Sequence, residues 1–197
     1  MKLVALLLFI PFYFSAQTDY HKELFKHRAE KDIEFKDSLK SPLKKQEIAD
    51  FENLNYFAPD TNFKVTAKFT KNIGPAFEMT TSSGMLKKFR KFGTLSFQIE
   101  GKSLELNVYQ NLKLMTNPLY RDYAFIPFTD LTNGEETYGG GRYIEAKLPN
   151  SDSFVLDFNY CFNPYCHYTT GYNCPIPPIE NFLDIRIEAG EKVYNKH

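Results

Sequence analysis

Apolar side chains recur at every second position from Phe63 onward. Phe63, Val65, Ala67 and Phe69 alternate with polar neighbours, the pattern of a strand with one buried face. Gly74-Pro75 predicts a turn, residues 77–81 a second strand, and Ser82-Ser83-Gly84 a second turn. Leu95, Phe97 and Ile99 alternate again and meet Leu104, Leu106 and Val108 across Gly101-Lys102, which predicts a hairpin. Residues 123–128 form another strand, broken by Pro127, and Asn133-Gly134 is a hairpin-turn signal. Residues 142–148 and 154–160 are predicted to pair across Pro149-Asn150, and Leu183, Ile185 and Ile187 make the last strand. The period is different before residue 60. Residues 18–39 hold no Gly or Pro, and Tyr20, Leu24, Ile33, Phe35 and Leu39 supply one apolar stripe for an amphipathic helix. Ser41 and Pro42 are placed to start a short second helix running to Phe51, and Pro59 ends the helical region.

The expected fold is mainly β, α+β by count. An N-terminal amphipathic helix and a short helix pack on an antiparallel barrel-like or sandwich sheet of about eight or nine strands. Residues 17–60 and 61–197 are expected to form one folding unit behind a signal peptide over 1–16. The leader reading rests on Lys2, an apolar run over residues 3–14, and Ser15-Ala16 before Gln17. That run is short for a bilayer of roughly 30 Å, and Pro11 interrupts it. The mature chain is therefore expected to be periplasmic or secreted, with no stable membrane insertion. The balance of 24 basic and 24 acidic side chains argues against a strongly basic nucleic-acid binder, and 19 Phe and 13 Tyr argue against disorder.

Export bears on the three cysteines, Cys161, Cys166 and Cys174. Cys166 and Cys174 flank a loop, and a staple between them is favoured, with Cys161 left over. No Cys-x-x-Cys occurs, and the four histidines show no metal spacing, so neither a thioredoxin-like centre nor a zinc site is expected. No cofactor is expected either.

The segment from Phe125 to Gly190 carries a dense set of motifs. They include Pro127-Phe128 with Asp130, Thr132 and Gly134, then Thr137-Tyr138 and Gly141-Arg142-Tyr143. Asp157-Phe158-Asn159, Asn163-Pro164-Tyr165-Cys166, Cys174-Pro175, Pro177-Pro178, Glu180-Asn181 and Ala189-Gly190-Glu191 follow. Together these resemble the bacterial family called domain of unknown function 1684, over nearly all the mature chain. Cys161 and His167 stand where that family pattern carries small residues, which speaks against an essential role for either. The resemblance implies a grouping and brings no activity.

The residues themselves allow a polar site. Gly139-Gly140-Gly141 before Arg142 can form a backbone nest for an anion, or simply a bend. The strand over residues 154–160 places Asp157 and Asn159 on the face opposite the aromatics, beside Arg142 on the neighbouring strand. Tyr138, Gly140, Gly141, Arg142, Asp157, Asn159, Asn163, Glu180 and Asn181 are the candidate ligand-binding residues. Asp130, Glu136 and Asp157 are the candidate acid and base groups. Three functions follow: a module binding a small anionic or hydroxylated ligand, a hydrolase-like enzyme using paired carboxylates in the same pocket, or a structural envelope protein without ligand. The first is preferred, because no nucleophile–base pair is readable.

Overall fold

In the computed structural model, which describes residues 12–194 with side chains from Thr18 onward, the alternating segments become eight strands. They are β1 (Lys64–Lys71), β2 (Ala76–Thr80), β3 (Leu86–Ile99), β4 (Lys102–Asn111), β5 (Tyr123–Asp130), β6 (Arg142–Lys147), β7 (Ser153–Asp157) and β8 (Phe182–Leu183). The protein is mostly β. Its antiparallel sheet curls into a half-barrel in the order β6-β5-β4-β3-β1-β7, with β2 on β3 and β8 parallel to β5. The hairpin between β3 and β4 turns on Glu100 (φ 51°) and Gly101 (φ 77°), the two left-handed residues of a type I′ turn. A bulge between Lys91 and Gly93 bends β3, so that its first part pairs with β2 and its second with β1. Inside the curl, Phe69, Leu95, Leu106, Val108, Ile126, Phe128, Leu156, Phe158 and Ile187 form the main core.

Three predicted strands change partners or length. Residues 142–148 and 154–160 do not form a pair: β6 pairs with β5 at one end of the sheet, and β7 pairs with β1 at the other. The second of these segments is also not one strand. It leaves β7 at Asp157 and turns through a 3₁₀ helix over Phe158–Tyr160, so Asn159 does not share a strand face with Asp157. The last strand is only β8, and residues 184–193 run on outside any strand, with one isolated antiparallel bridge between Glu191 and Tyr56.

The helices are α1 (Phe12–Lys36) and α2 (Lys45–Ile48). Of the predicted leader, residues 1–11 lie outside the described residues, and 12–16 belong to the first turns of α1. Among the described residues no helix is long and apolar enough to cross a membrane. The docking stripe of α1 is Tyr20, Leu24, Arg28 and Phe35, while Ile33 is 68% exposed and Leu39 lies beyond the helix and outside the core. At 100° per residue Ile33 stands about 200° from Phe35, on the far side of the helix. The short helix begins at Lys45 instead of Pro42, capped by the Glu47 carboxylate accepting from the Lys44 amide at 3.1 Å. Ser41 accepts from the Leu43 amide and shapes the turn before it. A second cluster of Phe35, Leu43, Phe51, Leu54 and Tyr168 joins both helices to the segment after β7.

Candidate functional site

Arg142 opens β6 and is fully buried. Its Nη2 donates to Asp130 Oδ2 and to the Ile187 carbonyl, both at 2.8 Å, and its Nη1 donates to the Ala189 carbonyl at 2.5 Å. Asp130 completes the clip: its Oδ1 accepts from the Thr132 amide and hydroxyl and from the Ile187 amide. The permanent charge of Arg142 thus ties the C-terminal segment to the 130–132 loop, and neither partner faces a cleft.

The expected Arg142–Asp157 neighbourhood does not form, because their strands sit at opposite ends of the sheet. Asp157 instead accepts from the Tyr20 hydroxyl at 2.9 Å and from the Asn159 amide at 3.0 Å. It pins α1 to the edge strand. Asn159 is held in turn by Asp60, donating to its carbonyl at 2.8 Å and accepting from its amide at 3.0 Å.

The three glycines make a bend and not an open nest. The Gly141 amide already donates to the Tyr138 carbonyl, and Gly141 has φ 85°. A Cβ there would stand 2.6 Å from the Phe128 carbonyl oxygen, so only glycine fits. Next to Gly140, Tyr138 turns its ring to His167, centroids 4.8 Å apart. Glu136 pairs with Arg186, which also holds Glu135 and Glu188, on a partly exposed surface. Glu180 is exposed. Asn181 is buried and donates to the carbonyls of Asn107 and Pro127 while accepting from the Asn107 amide. Its amide stands in for a peptide group between β4 and β5, which share a single register pair, Tyr109↔Phe125.

Two predicted residues, Asn159 and Asn163, do meet at one cleft. It has a volume of about 790 Å³ and lies among α1 (His27, Lys31, Phe35), Tyr56, β6 (Tyr143, Glu145) and the 159–165 and 171–175 segments. Local sequence explains the wall. Pro164 and Pro175 bracket a stretch closed by a Cys166–Cys174 disulfide, and the stretch is bound to the sheet edge by the Ser82 amide donating to the Cys174 carbonyl. On the other side Phe162 exchanges two backbone hydrogen bonds with Tyr143.

The floor centres on Glu191, which the sequence placed in a motif without a role. Its Oε2 accepts from the Asn163 amide and from the Tyr168 hydroxyl, each at 2.7 Å. Burial pushes this carboxyl up to about 7, against the pull of those two donors. The Tyr56 hydroxyl stands beside the same carboxyl without a hydrogen bond of ordinary geometry. Asn163 donates through Nδ2 to the Lys192 carbonyl at 2.8 Å, which fixes its orientation and leaves its Oδ1 buried with no partner. Such an orphan acceptor costs about 1–3 kcal/mol.

The remaining groups limit the chemistry. Cys161 lines the floor, yet burial pushes its thiol up to about 12, and its Sγ faces the Ala189 carbonyl. It is therefore no thiolate nucleophile. Burial also holds His27 below its ordinary value. Lys31 is engaged by Glu34 at 2.8 Å, and Lys87 by the Asn173 carbonyl. No group of three metal-ligating side chains gathers among the described residues.

Comparison with known proteins agrees on the grouping. No curated protein matches the chain. The solution NMR structure of an uncharacterised protein from Haloarcula marismortui is 32% identical, with a TM-score of 0.69, over 93% of this chain and 99% of that one. The family model described as "Protein of unknown function (DUF1684)" matches residues 49–192, which takes in every strand and the cleft floor, and the chain belongs to that family.

Proposed function

We propose that the protein binds a small ligand in the cleft between α1 and the disulfide-closed loop. The observation that carries this reading is the buried, unpartnered Asn163 Oδ1 beside the Glu191 carboxyl, under walls of Tyr143, Phe162, Tyr165 and Tyr172. A mostly apolar hollow with a few converging polar groups is the usual form of a ligand site, and the volume lies within the ordinary range of roughly 300–1,000 Å³. The reading does not rest on Arg142, whose Nη1 and Nη2 are taken up inside the fold. The test is a fragment screen followed by amide NMR on the full chain. Compounds that shift resonances of residues 159–165 and 171–175 are expected, and Glu191→Gln is expected to weaken them. A screen whose hits all fall outside the cleft overturns the reading.

An enzymatic alternative keeps one foothold. Of the predicted acid and base groups, Asp130 and Asp157 are engaged structurally and Glu136 is paired with Arg186. The cleft has its own carboxyls, Glu145 and Glu191, and a carboxyl near 7 is suited to proton transfer at neutral pH.

Export is part of the same proposal, supported by the N-terminal apolar run and by the disulfide. Intact mass of the isolated protein is expected to begin at Gln17, with Cys166 and Cys174 recovered as one linked peptide. Reduction should then lower stability by roughly 2–3 kcal/mol for a loop of this length. A chain retaining Met1 with all three thiols free would contradict both parts.

A further inference from the structure

Resting on the ligand-binding reading above, the geometry points to a ligand class, and we propose that the cleft receives an uncharged, hydroxyl-rich ring, the pyranose of a sugar or glycan end. Three observations converge on this.

The first is the kind of polar group that lies buried in the residues lining the cleft without a full set of partners. Asn163 Oδ1 can only accept, and the Glu191 carboxyl beside it accepts when ionised and also donates when protonated. Tyr56 offers a hydroxyl that does both. A ligand matching all three must carry donors that are also acceptors at short spacing, which is the pattern of vicinal hydroxyls.

The second is charge. An anion would meet Glu191 on the floor and Glu145 on the wall. The lysines near it are occupied by Glu34 and by the Asn173 carbonyl, and His27 is held toward its neutral form. A cation would meet Lys31 and Lys87, and behind Tyr56 it would meet the Arg28 guanidinium, 4.4 Å above that ring. The cleft thus carries charge of both signs, Lys31 and Lys87 against Glu145 and Glu191, so an ion of either sign meets a like charge and a neutral polyol meets none.

The third is the walls. Tyr165 and Tyr172 stand at the mouth, 40% and 38% exposed, with centroids 5.1 Å apart at 66°. Deeper in, Tyr143 and Phe162 meet edge to face at 6.0 Å. The two pairs present ring faces and edges at different heights, on which the C–H face of a sugar can pack while its hydroxyls turn to Asn163 and Glu191. The disulfide and the two flanking prolines hold that aromatic mouth in place before binding, which reduces the ordering cost of a weak polar ligand.

The experiment is titration of the full chain, followed by amide NMR, with glucose, galactose, N-acetylglucosamine and their soluble oligomers at millimolar concentration. Inorganic phosphate and uncharged aromatic fragments run in parallel. At least one sugar is expected to shift residues around Tyr165, Tyr172 and Asn163. Tyr172→Ala, at an exposed position that should not disturb folding, is expected to weaken it about two- to ten-fold, whereas Leu119→Ala, elsewhere on the surface, leaves it unchanged. Aromatic fragments in the cleft with no sugar there would overturn the sugar class and keep the ligand-binding reading. Phosphate in the cleft would overturn it in favour of an anion. Sugars that bind outside the cleft, or bind Tyr172→Ala as tightly as the parent, would also overturn it. A cleft that nothing enters removes both readings.

Discussion

A buried arginine is costly, and Arg142 offsets that cost through its two terminal nitrogens, while its Nε has no partner among the described residues. It meets one carboxylate, three carbonyls and the ring of Phe128, 5.3 Å from the guanidinium carbon. Removing it leaves Asp130 charged, buried and short of its ion partner, and frees the carbonyls of Ile187 and Ala189. Breaking such a pair from one side costs about 3–5 kcal/mol. Arg142→Met is therefore expected to lose that much in urea unfolding. A loss below about 1 kcal/mol would mean that the clip does not hold the C-terminal segment.

At the scale of elements, polar side chains do the joining where backbone pairing stops. Asn181 bridges β4 and β5 across a gap in their ladder, where Pro127 has no amide to give. Asn159 ties the turn after β7 to Asp60, and Asp157 ties the same turn to Tyr20 of α1. Asp157 is only half-buried, and its loss disturbs one helix contact instead of a closed interior. In the same unfolding experiment Asp157→Asn is expected to cost roughly 1 kcal/mol. Helix and loop also form the two sides of the cleft, so a helix that docks less firmly should loosen ligand binding as well. A cost for Asp157→Asn equal to that of Arg142→Met would show the helix anchor to be as deep as the clip.

For the whole molecule, a buried carboxyl and a half-buried imidazole oppose each other in pH dependence. Glu191 rises from an ordinary 4.5 to about 7, so its contribution is fully present below 4.5 and is lost as pH climbs through 7. His167 is pushed by burial from 6.5 down to about 4, and its Nε2 accepts from the Tyr194 amide at 2.8 Å. Its contribution is present above 6.5 and is lost as pH falls through 4. Between these limits the two slopes partly cancel, giving a shallow profile. Glu191→Gln should leave stability rising with pH over this window, and His167→Gln should leave it falling. Parallel profiles in the parent and both variants would refute the assignment.

How much of this the chain announces in advance depends on the distance over which each feature is decided. The strands were legible because a half-buried strand must alternate, and the β3–β4 hairpin because its turn needs two left-handed residues, one of them Gly101. The Cys166–Cys174 staple was legible too, since a short loop keeps its ends close. The family followed from motifs spread along the chain. Strand neighbours were not legible where the chain has to travel: β7 crosses to the free edge of β1 instead of returning along β6, and no local pattern records which edge stands open. That one choice separated Arg142 from Asp157 and dissolved the site composed from them. Burial was equally hidden. Glu191 reads in the sequence as one carboxylate among 24 acidic side chains, and Asn163, though a candidate ligand-binding residue, shows no sign there of a buried, unpartnered oxygen. Only the closing of α1, β6 and the proline-bracketed loop around them removes their water, and desolvation is what leaves an acceptor unpaired and lifts a carboxyl toward neutrality.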